Sequence, residues 1–84
     1  MKRADVYALI DAERERQDVK WGRVHEWGYG DCSSELVPTP VKSAVLTEEC
    51  GEVARAVLER DRDGLRDELV QTAAVCVAWL EGMP

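Results

Sequence analysis

Apolar residues recur at helical spacing in three stretches of this chain. Over about residues 4–20, Val6, Leu9 and Ile10 form a thin apolar stripe that predicts a first helix. Its second half, DAERERQDVK, is almost entirely polar, as expected of a solvated face or the wall of a polar site. A second helix is predicted over about 40–60, with Val41, Val45, Val53, Ala56 and Val57 on its apolar side. Thr39 suits its N-cap, and Pro40 suits the first turn, where a missing N–H costs nothing. DRDG at 61–64 reads as a tight turn, with Asp63 placed to cap a third helix over about 64–80. Gly82 and Pro84 follow that helix.

The third helix changes the picture. Its segment LVQTAAVCVAWL is apolar almost all round, and such a helix must be covered on several sides. Three helices in 84 residues cannot enclose it. The expected fold is therefore all-α: a single domain over 1–84, a three-helix subunit with a long N-terminal-side loop, completing a four-helix bundle by oligomerisation as a homodimer or homotetramer. The loop runs from Trp21 to Pro40 and is punctuated by Gly22, Gly28, Gly30, Ser33, Ser34 and Pro38. It exceeds the ~12–15 residues usual for a structureless connection. Trp21, His25, Trp27 and Tyr29 give it an aromatic density foreign to disorder, so part of it should pack on the helices.

The formal net charge of −6 disfavours direct nucleic-acid binding, which needs a basic face, but not nucleotides held through a divalent cation. Cys32, Cys50 and Cys76 form no CxxC pair, and an odd number makes a poor disulfide framework, so a reduced cytoplasmic setting is expected. Cys50 and Cys76 read as small core residues. The N-terminal stretch is charged within a few residues, which fits no signal peptide, and no apolar run approaches the ~20 residues of a membrane span.

The candidate chemistry lies in acidic residues. Glu49 and Glu52 are three apart and Glu48 and Glu52 four apart, so all three share one side of the second helix. The short turn folds the third helix back along the second, which brings Glu68 and Gln71 to similar height. Carboxylates crowded beside apolar helix faces need a partner, and Mg²⁺, a hard cation that prefers oxygen ligands, removes their repulsion. Gln71 offers an uncharged oxygen on the same face as Glu68. Lys20 and Lys42 are candidate phosphate contacts, as point charges. Arg55 and Arg66 are further candidates, with pairing to nearby acids as the plainer reading. His25 and Cys32 read as loop residues rather than metal ligands. Gly51, costly inside a helix, marks a place of close approach or room for substrate.

TEECGEV followed by LRDELVQ resembles the MazG-like, all-α nucleoside triphosphate pyrophosphohydrolases, which carry EExxE on one helix and ExxD on the next. Glu48, Glu49 and Glu52 match the first motif, and Glu68 the Glu of the second; Gln71 stands where the pattern has Asp. The upstream ERERQDVKWG is similar to the ERxRQ…KWG opening of small members. The resemblance implies hydrolysis of a (d)NTP between its α- and β-phosphates, with Mg²⁺, or Mn²⁺ in its place, as cofactor. Glu48, Glu49, Glu52, Glu68 and Gln71 would hold metal, and Glu48 or Glu49 would take the water proton. Gln17 and Trp21 would form the base pocket. The Gln71 departure keeps an alternative open: a catalytically weakened helical module of the same fold that binds nucleotide or a protein partner.

Overall fold

The computed structural model describes residues 1–84. It is all-α, about 70% helical. Helix α1 spans Arg3–Trp21, α2 Thr39–Leu58 and α3 Arg62–Glu81. Each agrees with the helix expected from the apolar pattern to within two residues at either end. Asp5 Oδ2 accepts the Lys2 N–H at 3.3 Å, placing a carboxylate at the start of α1, where the helix dipole favours it.

The helix starts differ in detail from expectation. Pro38, not Thr39, occupies the N-cap of α2, and no side chain caps it. Asp61, not Asp63, caps α3: its Oδ1 accepts the Gly64 N–H at 2.9 Å. The α2–α3 turn is shorter than DRDG suggested, because Arg60 takes a left-handed φ of 56° and reverses the chain one residue earlier.

The loop contains a small antiparallel hairpin that apolar periodicity did not reveal. Strands β1 (Val24–His25) and β2 (Gly28–Tyr29) pair Val24 with Tyr29 and His25 with Gly28. Gly28, at φ 139°, is required here, since a Cβ would collide with the Leu36 carbonyl oxygen.

Helix α3 is the middle of the molecule, packing against both α1 and α2. Ala74, Val75 and Ala78 are its buried residues, and the alanines let both neighbours approach closely. Val75 and Ala78 form a core cluster with Cys32 of the loop, against which Val45 and Leu46 of α2 pack. A cleft therefore lies between α1 and α2, with α3 beneath it and the loop along it.

The opposite side is apolar and uncovered. Only 8 of 84 residues are buried, and the chain exposes 6145 Å². A compact monomer of 9.4 kDa exposes about 5,000 Å². At about 100° per residue, Leu69, Ala73, Cys76 and Leu80 fall on one stripe of α3, and Cys50, Ala54 and Val57 on one stripe of α2. The antiparallel run of the pair brings both stripes to the side away from the cleft. Leu69 is 51%, Leu80 66% and Val57 56% exposed. Cys50 and Cys76, expected in the core, are exposed here, because their stripe faces nothing in this chain. Gly51 likewise has no neighbour within 4 Å of a Cβ position, so no close approach within the chain requires it.

Candidate nucleotide and metal site

The α1–α2 cleft encloses a cavity of about 490 Å³, within the range of small-molecule sites. Helix α1 contributes Glu13, Arg16, Gln17, Lys20 and Trp21; the loop contributes His25, Trp27, Asp31, Cys32 and Val37; α2 contributes Val41, Val45, Glu48 and Glu49; α3 contributes Gln71 and Val75.

Glu49 is the most strained carboxylate of this group. Burial, then the negative charges of Glu68, Glu48 and Glu52, push its pKa above the ordinary value. Glu68, Glu48 and Glu52 are thus within electrostatic reach of Glu49. Glu49 Oε2 and Glu68 Oε2 are buried without a hydrogen-bond partner. A buried, unpartnered carboxylate oxygen is costly unless a cation or donor reaches it, so these residues fit a divalent cation. No three carboxylate, histidine or cysteine groups converge as a finished ligand set. Glu49 and Glu68 provide the orphaned oxygens, with Glu48 and Glu52 flanking them on α2.

The other expected residues divide. Gln17, Lys20, Trp21 and Gln71 all line the cavity. Lys20 Nζ lies 5.2 Å from the Trp21 ring centroid, and His25 meets the same indole edge-on at 5.4 Å. Lys42 is not on the cavity wall; it is buried, with no carboxylate within ion-pair distance. Arg55 pairs with Glu59 at 3.2 Å. Arg66 lines a smaller cavity of about 290 Å³ between α1 and α3, shared with Arg16 and Gln71.

Sequence reasoning missed the residue that organises the α1 wall. Arg14 is 5% exposed and donates to Glu81 at 2.7 Å, Asp31 at 2.7 Å, Gln17 at 3.0 Å and Asp18 at 3.1 Å. Burial opposes its charge, but the bonds to Glu81 and Asp31 more than compensate and raise its pKa. Burial opposes the Asp31 charge too, yet Ser33 and Arg14 hold that carboxyl well below the usual carboxylate range. Arg14 thus ties α1 to the loop and to the end of α3. The spacing to Gln17 and Asp18 was legible, but Asp31 and Glu81 lie 17 and 67 residues away.

Both ring nitrogens of His25 are engaged by the hairpin backbone. Its Nδ1 accepts the Trp27 N–H at 3.2 Å, so Nε2 carries the hydrogen, which it donates to the Gly30 carbonyl at 2.7 Å. Both nitrogens are spent on the hairpin, so the ring presents only its faces and edges. Cys32, buried, has its thiol pKa raised by burial and by Asp31, which leaves it an unreactive core thiol.

Fold and site together define a helical protein with an acid-edged, aromatic-lined cleft. Residues 41–79, which are most of α2 and most of α3, match the family model for the MazG nucleotide pyrophosphohydrolase domain. The matched segment, a little under half of the chain, is similar to that domain and carries all four glutamates and Gln71. Neither a curated protein nor a solved structure matches it. No helix is long and apolar enough to cross a membrane.

Proposed function

We propose that this protein is a Mg²⁺-dependent nucleotide pyrophosphohydrolase that converts a (d)NTP and water to the (d)NMP and pyrophosphate. The observation that carries this reading is the pair of orphaned buried oxygens on Glu49 and Glu68, within a segment that matches the MazG domain. Glu48, Glu49, Glu52 and Glu68 would hold the metal, with Gln71 as a neutral ligand and Mn²⁺ able to replace Mg²⁺. When bound, the cation neutralises phosphate oxygens and acidifies a water. Glu49 is the better placed of the two candidate bases. It lines the cavity half-buried, while Glu48 is more exposed. Trp21 and Gln17 would receive the base, and Lys20 a phosphate. Lys42, away from the cavity, would act on phosphate only through its long-range charge.

The active form in this reading is a homodimer or homotetramer, in which a second copy covers the stripes of α2 and α3 and completes a four-helix bundle. The exposed area exceeds that of a compact monomer by about 1,100 Å², more than the ~800 Å² each partner gives to a standard interface. Leu69→Glu should shift the protein to monomer in sedimentation analysis; an unchanged assembly would remove that face from the interface. Three free cysteines support a reduced, cytoplasmic setting.

The test is pyrophosphate release from a panel of NTPs and dNTPs, with Mg²⁺ and with EDTA. The reading expects metal-dependent release from at least one of them; none from any, with helicity intact, would overturn it. A second reading, a weakened module that binds nucleotide or a protein partner, is favoured by Gln71, which lines the cavity where an Asp would add a charge. Gln71→Asp would then raise activity strongly over wild type.

A further inference from the structure

The cavity wall holds two tryptophans whose surroundings differ. Trp21, the last residue of α1, is already partnered within the chain. Lys20 Nζ lies over its ring, 5.2 Å from the centroid, and His25 packs against it at an interplanar angle of 78°. Trp27 has no such cover. It is 54% exposed, the aromatic and cation–π contacts of the chain are both made by Trp21, and yet Trp27 lines the cavity. An indole left this open keeps a large apolar face that a flat partner can bury.

The backbone beneath Trp27 is held firmly. The pairing of His25 with Gly28 leaves only Glu26 and Trp27 in the turn between β1 and β2. His25 Nδ1 accepts the Trp27 N–H at 3.2 Å, and Nε2 of the same ring is tied to the Gly30 carbonyl at 2.7 Å. Gly28, next along the chain, lies so close to the Leu36 carbonyl that no side chain fits there. A tryptophan carried on a fixed turn has two side-chain torsions left to order, so it meets a ligand at small entropic cost. The cavity that Trp27 lines is also lined by Glu48, Glu49 and Gln71. A ligand with a flat ring at one end and phosphates at the other can therefore use both parts of one cavity.

We infer that Trp27 is a substrate-binding residue whose exposed indole stacks on the nucleobase, beside the Gln17 and Trp21 already assigned to it. This rests on the nucleotide reading above. Every base has a π-face, so Trp27 contributes affinity for the base and not choice among bases.

The test is calorimetric binding to the full chain, in Mg²⁺, of AMP, UMP and inorganic pyrophosphate, which has no base. Trp27→Ala should weaken AMP and UMP about tenfold or more and leave pyrophosphate unchanged. Trp27→Phe keeps a flat ring and should recover most of the loss. Unchanged AMP and UMP affinity in Trp27→Ala, or an equal loss for pyrophosphate, would overturn the inference and leave the nucleotide reading standing. So would a wild type that turns over a triphosphate yet binds neither monophosphate. Binding of neither monophosphate, with no turnover of any triphosphate, would overturn both.

Discussion

Asp31 and Glu49 are carboxylates on the wall of one cavity, yet their surroundings push them in opposite directions. Asp31 is met by a buried guanidinium and by Ser33, and its pKa falls. Glu49 is met by burial and by the charges of three other glutamates, and its pKa rises. The first acidic corner contains its own cation and is closed. The second is built without one, and two of its oxygens have no partner. A chain that can place Arg14 so well against Asp31 does not lack the means to neutralise acids. The proposed function completes the corner around Glu49 from outside.

The largest effect should come from the open corner. Glu49→Gln should lower pyrophosphate release at least about a hundredfold while leaving circular dichroism unchanged, because the proposed metal ligand and base is lost and a repulsion is relieved. A near wild-type rate in this variant would remove Glu49 from both roles. At the closed corner the effect should be on stability. Arg14→Met leaves Asp31 buried without its cation, which costs about 3–5 kcal/mol for a buried pair broken on one side. In a domain this small, that lowers the melting temperature by more than about 10 °C. Adding Asp31→Asn should recover part of the loss. A change below about 1 kcal/mol would reduce the Arg14 cluster to a surface ornament.

The smallest effect separates the corners by pH. The folded-state pKa of Glu49 lies above its unfolded value, so folding is favoured by its protonation, and that stability is lost as pH rises through the raised pKa. Asp31 has the opposite sign: its stability is present at neutral pH and is lost as pH falls below the ordinary carboxylate range. In EDTA, the melting temperature should therefore rise as pH falls from neutrality toward that range, then fall below it. Asp18, whose pKa is also raised, through its bond with Asp31 and burial, adds in the same sense as Glu49. Calorimetry on Glu49→Gln isolates the Glu49 share, which should be missing there.

The contrast also marks what was legible in the sequence. The three helices were, since their apolar periodicity and the short α2–α3 turn are local. That Glu48, Glu52 and Glu68 come within electrostatic reach of Glu49 was, since helical spacing and an antiparallel turn suffice for that. The β1–β2 hairpin was not: strands of two residues carry no period, and Gly28 and Gly30 read only as loop. The Arg14 cluster was not, because a polar helix face looks the same whether water or distant acids solvate it. Cys50 and Cys76 were misplaced for a related reason. Periodicity says that a stripe wants cover, not whether this chain supplies it.

The most direct test of the open corner is a calorimetric titration of Mg²⁺ into metal-free wild type and Glu49→Gln. The account predicts saturable binding by wild type, with a melting temperature that climbs with metal concentration, by about 2.7 kcal/mol of stability at a hundred times Kd, and neither in the variant. Equal heats and equal melting temperatures for the two proteins would contradict it.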